Sequence, residues 1–350
     1  MRSSYREDDV ILLLKDITGL VEPQGTQERE RLIQSGRHYC EMLPIEYVPT
    51  PKYMEIYQQA LVDFAKPTAQ AVGILAQKIM KERGRDVVLV SLARAGIPIG
   101  ILLKRYIKQK FNIEVQHYSI SIIRGKGIDG NAMKYLLEHH QQEQLLFVDG
   151  WVGKGAILGQ LKEAVREYPG VSSDLAVVAD PAHITQLYGT REDILIPSSC
   201  LNATVSGLIS RTFLRSDIIG ERDFHGAVYY EELKEADLSY AFIETIEKEF
   251  ELEAKEENID KGIETGIEEV RKIAEEYNIS DINLIKPGIG ETTRVLLRRV
   301  PWKILISKKC RENQALAPII RLAQEKQVPV EYYSLENYKA CGLIKKMADT

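Results

Sequence analysis

The apolar residues of the chain alternate between short continuous runs and longer stretches with the spacing of a helix. A short apolar run bounded by glycine, proline or polar residues is typical of a strand buried on both faces. Such strands are predicted at 87–91, 115–123, 145–148 and 175–179, and helices at 54–82, 101–110, 132–139 and 157–168. Strands that alternate with helices predict a parallel sheet with right-handed crossovers, and therefore an α/β domain.

The residues before this series are less regular. Residues 8–15 are predicted to form a short amphipathic helix, and residues 36–53, with three prolines and little periodicity, an extended arm across the domain surface. Pro67 interrupts the helical segment 54–82, so this segment forms either two helices or one kinked helix.

A second, smaller series of elements follows. Residues 259–277 have the spacing of one amphipathic helix, and the later segments predict strands at 281–285, 303–307 and 328–334 alternating with helices at 292–299 and 317–326. This pattern predicts a compact αβα sandwich. We therefore expect an N-terminal arm and helix (1–53), a parallel-sheet α/β domain (54–250) and a smaller αβα domain (251–350).

Composition narrows the class of protein. An apolar content of 44% and a charged content of 28% are ordinary for a globular protein. The aliphatic run at 10–14 is too short for a membrane span or a signal peptide, so we expect a cytoplasmic protein without a membrane partner. The four cysteines have no metal-ligand spacing. Residues 281–350 carry a net charge of +6 and the remainder −11, which indicates nucleic acid as a partner of the C-terminal end.

The most informative stretch is 145–157, LLFVDGWVGKGAI. An apolar strand ends at Asp149 and a turn with Gly150, Gly153 and Gly155 leads into a helix. Backbone N–H groups at the start of a helix suit a phosphate, and Asp149 could accept hydrogen bonds from sugar hydroxyls. The alternatives are a nucleotide or sugar-phosphate site and an ordinary strand-to-helix turn. The glycine spacing excludes the Walker A motif.

Two more loops combine glycine with cations at the ends of neighbouring predicted strands. They are SLARAGIPIG (91–100), with Arg94, and RGKGIDGN (124–131), with Arg124 and Lys126; the third loop, DGWVGKGA (149–156), contains Lys154. A single polyanionic ligand could contact all three. Their order and spacing resemble the pyrophosphate, flexible catalytic and ribose-phosphate loops of the type I phosphoribosyltransferases, a resemblance that covers about residues 57–214.

The resemblance implies a ligand and a set of site residues. The ligand would be phosphoribosyl pyrophosphate or a related ribose phosphate with Mg²⁺, which Asp149 would bind. Asp149, Arg124 and Lys126 would be catalytic, and the substrate would be bound by Arg94, Ala95, Gly96, Gly150, Gly153, Lys154, Gly155 and Ala156. The family usually has two adjacent acids and a T-G-G loop, so one carboxylate is missing here, and Asp180 or Asp129 would supply it.

The C-terminal segment contains G-I-G-E-T-T-R from Gly288. It resembles the loop of the pelota-type RNA-binding fold, with Gly290 where asparagine is usual. The resemblance implies RNA binding without kink-turn specificity, and the RNA-binding residues would be Gly288, Gly290, Glu291, Arg294, Arg298 and Arg299. Lys308 and Lys309 would add affinity for phosphates. The alternative is a solvated basic face on an accessory domain.

The two domains together resemble fusion proteins of bacterial tellurite-resistance and stress operons, which are also labelled StiP-family cysteine proteases. This resemblance leaves three functions open: a phosphoribosyltransferase acting on a nucleobase-like or RNA-linked acceptor, a non-catalytic sensor of a phosphoribosyl ligand that gates RNA binding, and a thiol protease. A homodimer would be compatible with each.

The protease hypothesis depends on His38 and Cys40. Side chains two residues apart in extended backbone point to the same side, which allows contact. A catalytic pair also needs a group that orients the imidazole, and the sequence singles out none for Cys40 or Cys200. A buried small residue on the arm is the alternative. Nearby, the hydroxyls of Ser198, Ser199, Thr204, Ser206 and Ser210 either line a pocket or bond to backbone carbonyls.

Overall fold

The computed structural model describes residues 1–253 and 265–344. Its strands are β1 (Ile11–Leu12), β2 (Lys15–Asp16), β3 (Val88–Leu92), β4 (Gln116–Ile120), β5 (Ile122–Ile123), β6 (Gly127–Ile128), β7 (Leu145–Trp151), β8 (Leu175–Ala179), β9 (Tyr188–Thr190), β10 (Gly226–Ala227), β11 (Ile285–Pro287), β12 (Pro301–Ser307), β13 (Val330–Tyr333) and β14 (Ala340–Ile344). Its helices are α1 (Thr26–Gln34), α2 (Pro51–Arg83), α3 (Ile97–Phe111), α4 (Gly130–His139), α5 (Ala156–Ala164), α6 (Ser239–Lys248), α7 (Gly266–Glu276), α8 (Ile289–Arg298) and α9 (Ala317–Glu325).

The first domain is built on a six-stranded sheet in the order β1-β4-β3-β7-β8-β9. Every pairing in it is parallel, which confirms the predicted α/β class. Alternate residues of the central strands pack on opposite faces: Leu89 and Leu146 contact the core that includes α2 and α3, whereas Val90 and Phe147 contact the core that includes α4 and α5. Both faces are covered, so these strands read as uninterrupted apolar runs.

Residues 8–15 do not form the predicted helix. The segment contains β1 and the start of β2 instead, and β1 pairs in parallel with β4. The apolar spacing fits a helix, but the open edge of β4 offers backbone hydrogen bonds that a strand can satisfy. The predicted arm contains one short 3₁₀ turn, Tyr39–Glu41, and ends where α2 begins.

The segment around Pro67 is one continuous helix rather than two. Helix α2 runs from Pro51 to Arg83, and its buried side chains include Val72, Leu75 and Ile79. A proline inside a helix costs about 3 kcal/mol. Burial of one long face against α3, α6 and the β8–β9 end of the sheet offsets this cost. No helix of the described residues is both long enough and apolar enough to cross a membrane.

The second domain is a three-layer αβα sandwich, as predicted. Its sheet has the order β11-β14-β12-β13, with β12 and β13 parallel and the other pairs antiparallel. Helix α7 packs on one face of the sheet, and α8 and α9 pack on the other. Strand β14 was not predicted, and the strand predicted at 281–285 is a 3₁₀ turn, Ile282–Leu284, followed by β11. Residues 259–264 of the predicted helix lie outside the described residues.

Candidate ligand site between the two domains

The three predicted loops lie at one edge of the sheet. Strands β4, β3 and β7 are neighbours, so the segments that follow them lie at the same edge of the sheet. The 91–100 and 149–156 loops reach the cavity, whereas the 124–131 loop follows β5, in a separate two-stranded sheet, and contributes no lining residue. A cavity of about 450 Å³ opens there. Its walls come from α1, the arm, the end of β3 with the residues that follow it, the end of β7, β5, α5, the segment 194–214 and α8 of the second domain. The lining residues are Arg29, Pro44, Glu46, Leu92, Ala93, Arg94, Ala95, Ile122, Asp149, Ile157, Asn202, Arg211 and Arg294.

Asp149 lies within β7, near its carboxyl end, and faces this cavity. One carboxylate oxygen accepts a hydrogen bond from the backbone N–H of Gly150 at 2.7 Å. Burial raises the pKa of Asp149 to about 6. An acid with a raised pKa at the wall of a cavity whose lining also includes arginines is typical of a functional site.

The loop after β3 supplies Arg94 and Ala95 to the cavity. The Arg94 guanidinium donates to the carbonyl of Ile209 at 2.6 Å and forms an ion pair with Glu46 at 3.3 Å. The peptide between Ala93 and Arg94 is cis. Glu46 is the second carboxylate at the cavity, and it comes from the N-terminal arm rather than from either predicted position.

A buried hydrogen-bond chain supports the Arg94 loop from below. His117 Nδ1 lies 2.8 Å from the carbonyl of Asp9, so this nitrogen is the donor. Burial lowers the pKa of His117 to about 4, which keeps the ring neutral, and Nε2 then accepts from the hydroxyl of Ser91 at 2.7 Å. Gly96 passes close to β7, since a Cβ there would lie 2.4 Å from the carbonyl of Val148. Gly96 is buried, and the absence of a side chain there allows the loop to pack against β7.

Arg211 is a cavity residue that the sequence analysis missed. It donates to the carbonyls of Tyr39 and Met42 at 2.8 and 2.9 Å, which ties the arm to the site. Burial, and then the nearby charges of Arg29 and Arg94, lower the pKa of Arg211 to about 10. Cations gathered closely enough to lower a guanidinium pKa form a ready site for an anion.

Arg124, Lys126 and Lys154 do not line the cavity. Arg124 lies in the turn between β5 and β6 and donates to Asn283 of the second domain at 3.2 Å. The Lys154 ammonium donates to the carbonyls of Ile282 and Ile285, and burial followed by the charge of Lys286 lowers the pKa of Lys154 to about 8. Of these three cations, Arg124 and Lys154 therefore contact the second domain, whereas Lys126 is exposed.

The glycines after Asp149 shape the start of α5. Gly150 is buried, and Gly155 has φ of +86° and precedes Ala156, the first residue of the helix. Gly153 lines a second, small cavity of about 10 Å³ between the domains, and its carbonyl accepts from the Tyr338 hydroxyl at 2.5 Å. The strand, glycine turn and helix are present as predicted, but the second domain covers part of the turn.

The two acids suggested as a second ribose carboxylate have structural partners. Asp129 caps α4 by accepting from Asn131 and Ala132, and also accepts from the backbone of His225. Asp180 accepts from Thr185 and pairs with Arg191. Neither lines the larger cavity, so both suggestions are wrong.

The loop predicted to bind RNA is docked on the first domain. Gly288, with φ of +96°, precedes α8, and the backbone N–H of Ile289 donates to both oxygens of Asp193 at 3.0 and 3.1 Å. Gly288 and Gly290 are buried and line the small cavity. Glu291 pairs with Arg294 at 3.0 Å, and Arg294 lines the larger cavity.

The outer end of α8 is open. Arg299 is exposed, as are Lys308 and Lys309, although Lys309 pairs with Glu336. The side chain of Arg298 lies outside the described part of the chain. The predicted RNA-binding residues therefore divide into a docked group at the start of α8 and an exposed group beyond its end.

His38 and Cys40 are in contact, as the spacing allowed. His38 Nδ1 lies 2.9 Å from Cys40 Sγ and 3.3 Å from the backbone nitrogen of Cys40. The thiol is fully buried, lies 3.6 Å from the carbonyl of Leu214, and has a pKa that burial raises. A nucleophilic cysteine needs the opposite shift.

The hydroxyl-rich segment 194–214 is mostly structural. Ser206 donates to the carbonyl of Asn202 at 2.8 Å and Ser210 to that of Arg211 at 2.7 Å. Ser199 lines the small cavity. What the segment gives to the larger cavity is Asn202 and Arg211; an arginine within such an apolar stretch was the signal for this site.

Comparison with known proteins assigns the chain to a family. The family described as tellurite-like stress resistance cysteine protease StiP matches residues 3–247, and the family described as PELOTA RNA binding domain matches residues 264–346. The chain therefore belongs to the StiP family and ends in a pelota-type domain. A curated relative, Cysteine protease StiP of Acinetobacter baylyi, is 36% identical over 366 residues, which covers 98% of this chain and 94% of that protein.

Solved structures show weaker similarity. The xanthine-guanine-hypoxanthine phosphoribosyltransferase of Helicobacter pylori has a TM-score of 0.23 and 16% identity, covering 38% of this chain and 76% of that one. The HGPRT-ase of Leishmania tarentolae in complex with GMP has a TM-score of 0.24 and 12% identity, covering 35% and 67%. The α/β class assigned above rests on the strand order and pairing of the chain itself.

Proposed function

We propose that the first domain is a phosphoribosyltransferase-like enzyme that uses phosphoribosyl pyrophosphate on a nucleobase-like or RNA-linked acceptor. The observation that carries the proposal is Asp149, which faces a cavity lined by Arg29, Arg94, Arg211 and Arg294. Its volume, about 450 Å³, lies within the usual range for small-molecule sites. A site with two carboxylates, one of them paired with Arg94, and several guanidinium groups suits a sugar that carries phosphates.

Magnesium fits this site through Asp149. Among the described residues, the Asp149 carboxylate has one recorded hydrogen-bond donor, Gly150, which leaves oxygen lone pairs directed at the cavity. Mg²⁺ commonly binds through one or two carboxylates and the phosphates of a substrate. When bound, the ion would neutralise charge on the pyrophosphate. Glu46 is held by Arg94 and serves to position that guanidinium.

The proposed reaction balances without any further reactant. The bond between the anomeric carbon and a pyrophosphate oxygen breaks, and its electron pair leaves with pyrophosphate. The lone pair of an acceptor nitrogen forms the new bond to carbon, and that nitrogen releases its proton to solvent. Arg94 and Arg211 would stabilise the negative charge on the leaving group, since prepositioned cations act most strongly where charge develops.

Pyrophosphate release tests the proposal. The protein is incubated with phosphoribosyl pyrophosphate, Mg²⁺ and pooled cell metabolites, and release is compared between wild type, Asp149→Ala and the control Asp86→Ala, an exposed acid just before β3. Release that persists in the control and is lost in Asp149→Ala supports an enzyme. Tight binding without release supports a sensor that gates RNA binding, and absence of both rejects the ligand.

We further propose that the second domain binds RNA and that the protein acts in resistance to tellurite or related stress. The family descriptions and the exposed cations at the end of α8 support this. Replacing Arg298 and Arg299 by alanine should weaken RNA binding and reduce the slope of log affinity against log salt by about 2. Unchanged affinity and slope would reject these residues as phosphate contacts.

Peptide hydrolysis by a cysteine thiol is a second candidate function, because His38 and Cys40 are in contact. The curated relative's printed name supports it, whereas the burial of the thiol opposes it. A peptide-library cleavage assay with wild type and Cys40→Ser tests it: cleavage that only wild type performs would support a protease. The absence of cleavage in both proteins would leave Cys40 a structural residue of the arm.

A further inference from the structure

Cations from both domains face each other beside the cavity. We call Arg124, Lys154, Lys286 and Arg294 the interface cations; the first two belong to the first domain and the last two to the second. Lys154 donates to the carbonyls of Ile282 and Ile285, next to Lys286, and Arg124 donates to Asn283 of the same segment. Burial, and then the charge of Lys286, lower the pKa of Lys154. Burial, and then several neighbouring arginines, among them Arg124 and Arg294, lower the pKa of Lys286.

Like charges repel most strongly where water is excluded. The interface cations are partly compensated, because Lys154 donates to two backbone carbonyls and Arg294 pairs with Glu291. The other three cavity arginines, Arg29, Arg94 and Arg211, add to the same positive region, and burial lowers the pKa of Arg211. A surface of this kind between two domains is most stable when a polyanion lies in it.

The start of α8 is held in the contact between the two domains. Asp193 accepts from the backbone N–H groups of Ile289 and Lys339. A Cβ on Gly290 would lie 3.4 Å from Ser199, so the loop packs directly on the first domain. Five residues along α8 from its start, Arg294 reaches the larger cavity. The docked helix therefore places a cation of the second domain in the site of the first.

We infer that Arg294 is a ligand-binding residue of the first domain's cavity, and that a small polyanion and RNA compete for the start of α8. The inference rests on the proposed function, because the polyanion is the phosphoribosyl ligand. RNA could approach the glycines of the Gly288 loop only after the loop leaves Asp193, since both glycines are buried in the docked state. Ligand binding holds the domains together, and RNA binding at this loop requires their separation.

Binding of Mg²⁺–phosphoribosyl pyrophosphate and of inorganic pyrophosphate, measured by calorimetry, tests the role of Arg294. The variants are Arg294→Ala, Arg294→Lys and the control Arg271→Ala, an exposed arginine of α7, on the other face of the second domain's sheet, that does not line the cavity. Arg294→Ala should weaken both probes about 10-fold or more, Arg294→Lys should restore part of the loss, and Arg271→Ala should have little effect.

Competition is tested by the fluorescence anisotropy of a labelled random-sequence RNA at constant ionic strength. Saturating Mg²⁺–phosphoribosyl pyrophosphate should weaken RNA binding to wild type several-fold and have a much smaller effect on Arg294→Ala. Asp193→Asn, which loosens the docked loop without lining the larger cavity, should bind RNA more tightly and the small ligand more weakly.

The outcomes separate this inference from the proposed function. If wild type binds neither probe, the proposed function fails and the inference fails with it. If wild type binds a probe and Arg294→Ala binds it equally well, only the inference fails. Simultaneous binding of RNA and ligand, with neither affecting the other, would likewise overturn the competition and leave the ligand site in place.

Discussion

Two carboxylates, the partly buried Asp149 at the cavity and the buried Asp193 at the domain contact, have the same pKa shift but different partners. Burial raises the pKa of each to about 6. Asp149 accepts one N–H from the residue beside it and faces a cavity with cations on its walls. Asp193 accepts backbone N–H groups of Ile289 and Lys339, both from the other domain. A shifted pKa therefore marks burial, and the partners of the carboxylate decide between binding and structure.

The largest expected effect is on ligand binding by Asp149. Asp149→Asn keeps the shape of the side chain and removes its charge, so the affinity for Mg²⁺–phosphoribosyl pyrophosphate should fall about 100-fold. Calorimetry measures the loss, with Asp86→Asn as the exposed control. Equal affinity in Asp149→Asn and wild type would show that Asp149, like Asp193, has only a structural role, and would reject it as a ligand-binding residue.

The next largest effect is on stability, which should fall in the Asp193 variant and not in the Asp149 variant. Asp193→Asn leaves an N–H of the second domain facing an amide, which should cost about 2 kcal/mol and lower the thermal midpoint by about 5 °C. Asp149→Asn removes a poorly compensated buried charge and should not lower the midpoint. Differential scanning calorimetry of both variants measures this, with Asp174→Asn, half of an ion pair at the surface, as the control. A larger drop in Asp149→Asn would contradict the assignment.

The pH dependence of stability tests the raised pKa of Asp149. Because the folded pKa of Asp149 is raised above its unfolded value, the folded state binds more protons between about pH 4 and 6, and stability falls as pH rises through that window. Asp149→Asn removes the contribution of Asp149, whereas the similar contribution of Asp193 remains in both proteins. The midpoint of Asp149→Asn should exceed that of wild type by about 3 °C above pH 7 and match it near pH 4. A difference that does not change with pH would place the Asp149 charge in bulk solvent.

Much of the fold was predictable because its local and global preferences agree. The strands covered on both faces and the three loops at their ends followed from apolar runs and glycines. The N-terminal strands did not, since β1 exists only because the edge of β4 is open. The cavity residues Arg29 and Glu46 are distant in sequence from the loops and carry no local motif, and Arg211 is marked only as an arginine within an apolar stretch. They converge only when the arm and segment 194–214 fold over the sheet.

Arg294 shows a different reason for an incomplete prediction. Its motif indicated RNA, and the domain that contains it does match an RNA-binding family. Which surface of a domain is free depends on how it docks, and docking depends here on Asp193, a residue without any motif. The sequence therefore indicated the chemistry of Arg294, a cation for phosphate, while the source of the phosphate depends on the arrangement of the domains.

The smallest expected effects come from the glycine that precedes the helix in each region. Gly155 before α5 and Gly288 before α8 both have positive φ, so alanine at either should cost about 1 kcal/mol of stability. A Cβ at Gly288 would lie 3.3 Å from the Asp193 carboxylate, whereas one at Gly155 would meet the tip of Ile184. Gly288→Ala should therefore also loosen the docked loop and raise RNA affinity, and Gly155→Ala should not. Gly159→Ala, within α5 with nothing near its Cβ, should stabilise by about 0.5–1 kcal/mol. Equal RNA affinity in Gly155→Ala and Gly288→Ala would mean that the contact with Asp193 does not control access to the loop.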